Sequence, residues 1–201
     1  MPHSKFRLIT RSDFDGLVCA VLLKEMDLID DIKFVHPKDM QDGKIEVSER
    51  DITTNLPYVP GVHLCFDHHA SETMRNEVHT NHFIDPDAQS AARVVFDHYG
   101  GVRQFGERFN EMMAAVDKGD AAQFSADEIL NPSGWVFEAI PGELGLASVA
   151  GVVSHCVSHC PTALWMIPDP QCDGGLIRQR SVTRHEIARN ARSIPDIHPV
   201  I

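Results

Sequence analysis

Basic residues are scarce in this sequence of 201 residues: 18 lysines and arginines stand against 29 aspartates and glutamates, so the formal net charge is −11. A protein that follows a long nucleic-acid backbone needs clustered lysine and arginine. We therefore expect no nucleic-acid partner beyond short oligonucleotides. Small phosphorylated ligands are compatible with this charge, because a bound divalent cation reverses the local sign where carboxylates gather.

Long apolar runs and paired cysteines are also lacking. No run approaches the roughly 20 apolar residues that span a bilayer, which predicts no membrane partner. Residues 1–5 lack the apolar core of a signal peptide. The five cysteines are an odd number, and Cys19 and Cys65 lie inside apolar runs, which argues against a disulfide framework. These absences predict a cytoplasmic protein.

What the sequence does contain, in residues 1–135, is an alternation of short strand and helix patterns. Apolar or β-branched stretches at 6–10, 32–35, 52–54 and 62–66 predict strands, and apolar spacing at 17–26, 90–99 and 105–116 predicts helices. This alternation predicts an α/β fold, a mostly parallel sheet with helices on its faces. No internal repeat is visible.

Residues 136–201 have a different character. Prolines recur at positions 141, 161, 168, 170, 195 and 199, and the alternation of strands and helices fades. Proline interrupts helices and central strands, so we expect a short irregular tail here rather than a full second domain. Histidines and cysteines at 155–160 have the four-residue spacing of zinc ligands on a helix, which leaves a zinc-stapled interaction protein as one alternative.

Acidic residues and histidines form three clusters at the ends of predicted elements. Asp13 and Asp15 follow the first strand, residues 67–69 (Asp-His-His) follow the fourth, and residues 117–120 (Asp-Lys-Gly-Asp) follow the last helix. Each cluster alone could be a turn or a strand end. The carboxyl ends of parallel strands open into one crevice, so the first two clusters can meet there. Mixed carboxylates and imidazoles suit Mn²⁺ or Mg²⁺, ions that assist phosphoryl transfer.

These clusters resemble the motifs of the DHH phosphoesterase superfamily. Residues 10–16 (Thr-Arg-Ser-Asp-Phe-Asp-Gly) are similar to its first motif, residues 67–69 match the motif that names it, and Asp117 falls where its fourth-motif aspartate is expected. The resemblance covers about residues 6–135 and is strongest to the exopolyphosphatase-related branch. It implies a Rossmann-like DHH domain with a divalent metal, usually manganese, that hydrolyses phosphoanhydrides or phosphodiesters.

The resemblance also implies a role for each matching residue. Two residues are expected to be catalytic: Asp67 supports His68, and His69 contacts the phosphate or donates a proton. The implied metal ligands are Asp13, Asp15, His68 and Asp117.

Departures from the family pattern limit this assignment. Ile9 and Arg11 stand where the family has a histidine, and Asn55 is the equivalent of an aspartate that often bridges two metals, with Asp51 a weaker candidate. An amide oxygen is a poorer ligand than a carboxylate, so we expect one tightly bound Mn²⁺ (or Mg²⁺). Arg11 and Asn55 are then expected to bind substrate, Arg11 as a fixed phosphate-binding charge. In residues 136–201, only Gly174-Gly175 faintly resembles the glycine-rich segment of the family's second domain.

Two main hypotheses follow for the function. The first is a divalent-metal-dependent phosphohydrolase, exopolyphosphatase-like, that acts on a phosphoanhydride or phosphodiester bond of a small phosphorylated substrate or of polyphosphate. The alternative is a catalytically degenerate DHH module that binds a nucleotide or phosphate without turnover. The intact residues 67–69 and Asp117 favour the enzyme, whereas Ile9 and Asn55 favour the binding module. A homodimer is compatible with either.

Overall fold

The computed structural model describes residues 5–75, 77–131 and 133–135 of the chain. The predicted tail at 136–201, with its zinc-like spacing and the boundary at residue 135, lies outside the described residues.

Parallel strands form one five-stranded sheet. The order across the sheet is β2-β1-β3-β4-β5, and all four neighbouring pairs are parallel. The strands are β1 (Phe6–Arg11), β2 (Ile29–Val35), β3 (Asp51–Thr54), β4 (Leu64–Asp67) and β5 (His82–Ile84). The predicted α/β fold with a mostly parallel sheet flanked by helices is confirmed.

Within the described residues, seven short helices join and flank the strands. They are α1 (Phe14–Glu25), α2 (Pro37–Gln41), α3 (Ala70–Arg75), α4 (Ala91–His98), α5 (Val102–Phe105), α6 (Asn110–Asp120) and α7 (Ala126–Leu130), with a 3₁₀ turn at Glu107–Phe109. None of the helices within the described ranges is both long enough and apolar enough to span a bilayer.

The predicted helix at 105–116 is wrong in its limits. Gly106 has a φ of 82°, a left-handed conformation that ends α5 and separates it from α6. Helix α6 begins at Asn110 and continues through Asp120. Asp117 therefore lies within a helix and not in the loop after one, and this changes which acidic side chain reaches the sheet edge.

Apolar side chains cover both faces of the sheet. Successive strand residues point to opposite faces, so Leu8 belongs to the larger core, which includes buried residues of α1, α4 and α6, while Ile9 packs with Met40 of α2 in a smaller one. Residues 15–23 of α1 are all buried. An all-parallel sheet typically has both faces covered by helices and loops, so only the ends of its strands are accessible to a ligand.

The chain changes direction across the sheet between β1 and β3. β2 pairs with one edge of β1 and β3 with the other, so the loops that leave β1 and β3 turn to opposite sides. A crevice opens beyond the carboxyl ends of two such strands, and it is the usual place for a ligand in an open α/β sheet. Residues 12–13 and Asn55 lie at this crevice because they follow β1 and β3.

Gly16 lets β1 turn directly into α1. A Cβ atom at this position would lie 2.1 Å from the carbonyl oxygen of Arg11 and 2.7 Å from Oγ1 of Thr10. Only glycine permits so close an approach to backbone. The tight turn places Asp13 at the N-cap and Asp15 in the first turn of α1, both next to the crevice.

Candidate metal centre

Asp15, His68 and Asp120 bring three ligand atoms together at the carboxyl end of the sheet. One nitrogen or oxygen atom of each lies within 4.8 Å of the other two. Nε2 of His68 lies 2.9 Å from Oδ2 of Asp120, yet it is buried and has no partner in hydrogen-bonding geometry within the described part of the chain. Two carboxylates and a buried imidazole nitrogen fit a divalent cation.

The first turn of α4 fixes the Asp15 carboxylate. Its Oδ2 accepts a hydrogen bond from the Ala91 amide at 2.9 Å, and its Oδ1 accepts one from the Ala92 amide at 2.7 Å. Both amides belong to the positive end of the helix, which favours a carboxylate. Asp15 is only 2% exposed, so its orientation is set before any cation arrives.

A backbone carbonyl fixes the His68 ring. Nδ1 of His68 lies 3.3 Å from the Ala88 oxygen, an arrangement in which Nδ1 carries the proton and donates it. In the neutral ring the lone pair then resides on Nε2, the atom that faces Asp15 and Asp120. A ring held in this way is typical of metal-binding histidines.

Asp67 organises the Asp-His-His turn at the end of β4. Its Oδ1 accepts hydrogen bonds from the His68 amide at 2.8 Å and from Nδ1 of His69 at 2.7 Å. Asp67 therefore supports His68 through its backbone amide and not through its ring. The imidazole ring that Asp67 orients is that of His69. The hydrogen bond from His69 to Asp67 raises the pKa of His69, although burial opposes it.

Donors surround the Asp13 carboxylate, which the structure does not bring into the three-residue group. Nδ2 of Asn55 lies 3.1 Å from each of its oxygens, Nε of Arg11 lies 2.9 Å from Oδ2, and the Gly16 amide donates to Oδ1 at 2.8 Å. Asn55 has a φ of 53°, a left-handed conformation that asparagine tolerates. Its Oδ1 is buried and has no hydrogen-bond partner among the described residues.

Asp117 is not among the three grouped residues, in which the acid from α6 is Asp120. Oδ1 of Asp117 accepts from the Ser90 hydroxyl at 2.7 Å and its Oδ2 from Nε of Arg93 at 2.9 Å. Asp120 is three residues further along α6 and reaches His68. The role of Asp117 as a ligand stays a prediction, whereas the acid that meets His68 was missed because the helix was expected to end before residue 117.

Asp51 lies at the opposite end of β3 from Asn55. It begins the strand, where its carboxylate accepts a hydrogen bond from Nε of Arg7 at 2.7 Å and one from the Ser48 amide at 2.6 Å. The Arg7 guanidinium and the Ser48 hydrogen bonds outweigh burial and hold the pKa of Asp51 below its usual range. Asp51 therefore joins strands at the amino end of the sheet and cannot bridge ions at the other end.

The charges in the three-residue group shift each other's protonation. Burial, with the nearby Asp120 and Asp13 carboxylates, raises the pKa of Asp15 to about 7. Burial lowers the pKa of His68, but Asp120 and Asp15 outweigh it and raise this pKa to about 9. Without a cation the cluster therefore holds protons at neutral pH, and a metal must displace them.

Cation affinity is expected to rise with pH up to about 9. Below the raised pKa of Asp15 a divalent cation displaces two protons, from Asp15 and His68; between the two pKa values it displaces only the His68 proton. The association constant for Mn²⁺ should then rise about tenfold per pH unit between roughly pH 7 and 9, and more steeply below. Calorimetric titration in buffers of different ionisation enthalpy counts the released protons. A pH-independent affinity would contradict this coupling.

Comparisons with known proteins show a similarity to one solved phosphodiesterase. No protein-family model matches the chain, and no curated protein matches it. Among solved structures, it is similar to a pGpG-specific phosphodiesterase, PggH from Vibrio cholerae: the sequences are 60% identical, with a TM-score of 0.57. The match covers 66% of this chain and 40% of that one, so the chain spans well under half the length of that structure.

Proposed function

We propose that this chain belongs to the DHH phosphoesterase superfamily and carries the metal-binding part of a phosphodiesterase for a small linear dinucleotide. The observation that carries this proposal is the convergence of Asp15, His68 and Asp120 at the carboxyl end of the sheet. The 60% identity to a pGpG-specific phosphodiesterase supports both the reaction and the class of substrate.

Asp15, His68 and Asp120 would hold the cation, which we propose to be Mn²⁺, with Mg²⁺ as the alternative. When bound, such an ion supplies positive charge that stabilises a reacting phosphate group and makes water more acidic. The chain contributes the fixed orientation of the ligands: Ala91 and Ala92 hold Asp15 from α4. A preset ligand geometry lowers the cost of binding the ion.

We propose that His69 acts at the scissile phosphate and that Arg11 binds a phosphate group of the substrate. Both line a cleft beside the metal ligands. Asp67 accepts from Nδ1 of His69 and raises the pKa of that ring, which favours the protonated form that can give the Nε2 proton to a leaving oxygen. The guanidinium of Arg11 can neutralise a phosphate oxygen.

Polyphosphate is the other substrate to be considered. The resemblance to the exopolyphosphatase-related branch favours it, whereas the likeness to PggH favours a dinucleotide. We propose the dinucleotide because 60% identity is the more specific similarity. The cytoplasmic location and the homodimer stay predictions.

A binding module without turnover is the second candidate. The hydrogen bonds from Nδ2 of Asn55 to both oxygens of Asp13 favour it, since they occupy the carboxylate that a second ion would need. In that case the single ion would fix a phosphate ligand in place without assisting its hydrolysis.

The test measures product release from pGpG and from polyphosphate with Mn²⁺, with Mg²⁺ and after chelation. We expect nucleoside monophosphate from pGpG with Mn²⁺, none after chelation and little phosphate from polyphosphate. Tight pGpG binding without release under any divalent ion would support the binding module instead. Release of phosphate from polyphosphate alone would support the exopolyphosphatase.

A further inference from the structure

A small cleft beside the metal ligands extends past His69, the residue proposed to act at the scissile bond. It has about 160 Å³ of space, and its lining includes the basic Arg11 and Arg75, the acidic Asp67 and Glu72, and the polar Asn55, His69 and Ser71. Asn55 contacts Asp13 and the His69 ring lies against that of His68, while Arg75 is the last residue of α3. The cleft therefore extends the candidate site away from the three metal ligands.

Two arginines in the lining keep N–H donors that no described residue uses. The side chains of Arg11 and Arg75 are 46% and 51% exposed. In the described part of the chain, the ion pair of Arg11 with Asp13 involves its Nε, and that of Arg75 with Glu72 involves its Nη1. A guanidinium has five N–H donors, so both side chains keep donors for a ligand. The ion pairs with Asp13 and Glu72 also fix the orientation of the two guanidinium groups.

Glu72 anchors one of these arginines. Its side chain is 4% exposed, its Oε1 accepts from Nη1 of Arg75 at 2.9 Å, and its Oε2 accepts from the Tyr58 amide at 3.2 Å. The buried carboxylate is thereby tied to the backbone and holds the guanidinium at the rim. An arginine fixed in this way loses less side-chain entropy when it binds a ligand than a free one does.

The size and charge of the cleft suit a phosphate group. Pockets that enclose whole drug-sized ligands begin at roughly 300 Å³, about twice the space found here. A terminal phosphate monoester carries about −1.5 to −2 charges at neutral pH and has three strong acceptor oxygens. The carboxylates of Asp67 and Glu72 in the lining are paired with His69 and Arg75. Two arginines match a phosphate dianion better than the single charge of a diester, because charge-assisted hydrogen bonds to guanidinium are among the strongest that proteins form.

We propose that this cleft binds the terminal phosphate of a linear dinucleotide while the scissile diester lies at Asp15, His68 and Asp120. Arg75 is then a specificity-determining residue: it selects substrates with a free terminal phosphate over those without one. This inference rests on the proposed phosphodiesterase function and adds the group by which the substrate is recognised.

The test compares pGpG with GpG, which lacks the terminal phosphate. The native protein should prefer pGpG at least about tenfold in kcat/KM, chiefly through KM, since a hydrogen bond to a charged group has about this effect. Arg75→Gln should bring the ratio of the two substrates close to one, and Arg75→Lys should retain part of the preference. Arg103→Gln, at an exposed arginine on α5, removes the same charge outside the cleft and should keep the full preference.

Binding measured without turnover separates this inference from the proposed function. With the metal chelated, calorimetry should show that pGpG binds more tightly than GpG and that Arg75→Gln loses the difference. This result would support the cleft even if neither dinucleotide is hydrolysed. Ser71→Ala is the second variant if Arg75→Gln does not fold, because it keeps the ion pair between Glu72 and Arg75. A reduced preference of Ser71→Ala for pGpG over GpG would support binding of the terminal phosphate in the cleft. Equal kcat/KM values for the two dinucleotides in the native protein would overturn the inference and leave the phosphodiesterase intact.

Discussion

Asp120→Asn is expected to abolish tight Mn²⁺ binding and to lower kcat/KM for pGpG by at least about 100-fold. The substitution exchanges a charged oxygen, 2.9 Å from Nε2 of His68, for a neutral amide of nearly the same shape. It therefore changes the affinity for the cation without changing the packing of α6. Calorimetric titration with Mn²⁺ and initial hydrolysis rates measure the two effects.

Asp117→Asn on the same helix should lower the stability of the fold and leave Mn²⁺ binding unchanged. It weakens the ion pair with Arg93 and the hydrogen bond from Ser90, so the free energy of unfolding should fall by about 1–3 kcal/mol. The Mn²⁺ affinity should stay close to that of the native protein. Glu111→Gln, at an exposed position of α6, should change neither quantity. If Asp117→Asn loses the metal and Asp120→Asn keeps it, then the ligand assigned from the sequence is right and Asp120 is not a ligand.

The sequence predicts the strands better than the short helices. β1 to β4 coincide with apolar or β-branched stretches, which stand out because parallel strands are buried on both faces. Helix α2 has no counterpart among the predicted helices, because Pro37 is typical of a break in regular structure although proline is also favoured in the first turn of a helix. Helix α3 buries only Glu72, so no apolar periodicity marks it. β5 was also not predicted, because its three residues are too few to show a strand pattern.

The site was predictable only as far as its residues follow strands. Asp13, Asp15 and residues 67–69 leave the carboxyl ends of β1 and β4, which the topology of a parallel sheet brings to one edge. Asp120 arrives on a helix whose last turn contains Gly119, a residue that more often lies just past a helix end. The contacts that separate Asp117 from Asp120, to Arg93 and to His68, join residues that are distant in the sequence, so no local pattern indicates them.

Asn55→Asp is expected to change the number of bound Mn²⁺ ions from one to two. In the native chain Nδ2 of Asn55 donates to both oxygens of Asp13. An aspartate at position 55 replaces this donor with a second negative charge and accepts the same left-handed backbone. The two carboxylates then repel each other unless a cation lies between them. The metal-free variant should lose about 1–3 kcal/mol of unfolding free energy, and Mn²⁺ should restore more stability to it than to the native protein.

Two measurements decide this expectation: metal stoichiometry at matched manganese concentration, and thermal unfolding with and without Mn²⁺. Asn55→Gly is the matched control, because it removes the same hydrogen bonds and tolerates a φ of 53° but adds no charge. It should be destabilised without binding a second ion. A single ion in the Asn55→Asp protein would mean that Arg11, whose Nε lies 2.9 Å from Asp13, neutralises the new carboxylate. A guanidinium would then permanently occupy the place of the second cation, and hydrolysis by this chain would depend on one ion and one arginine.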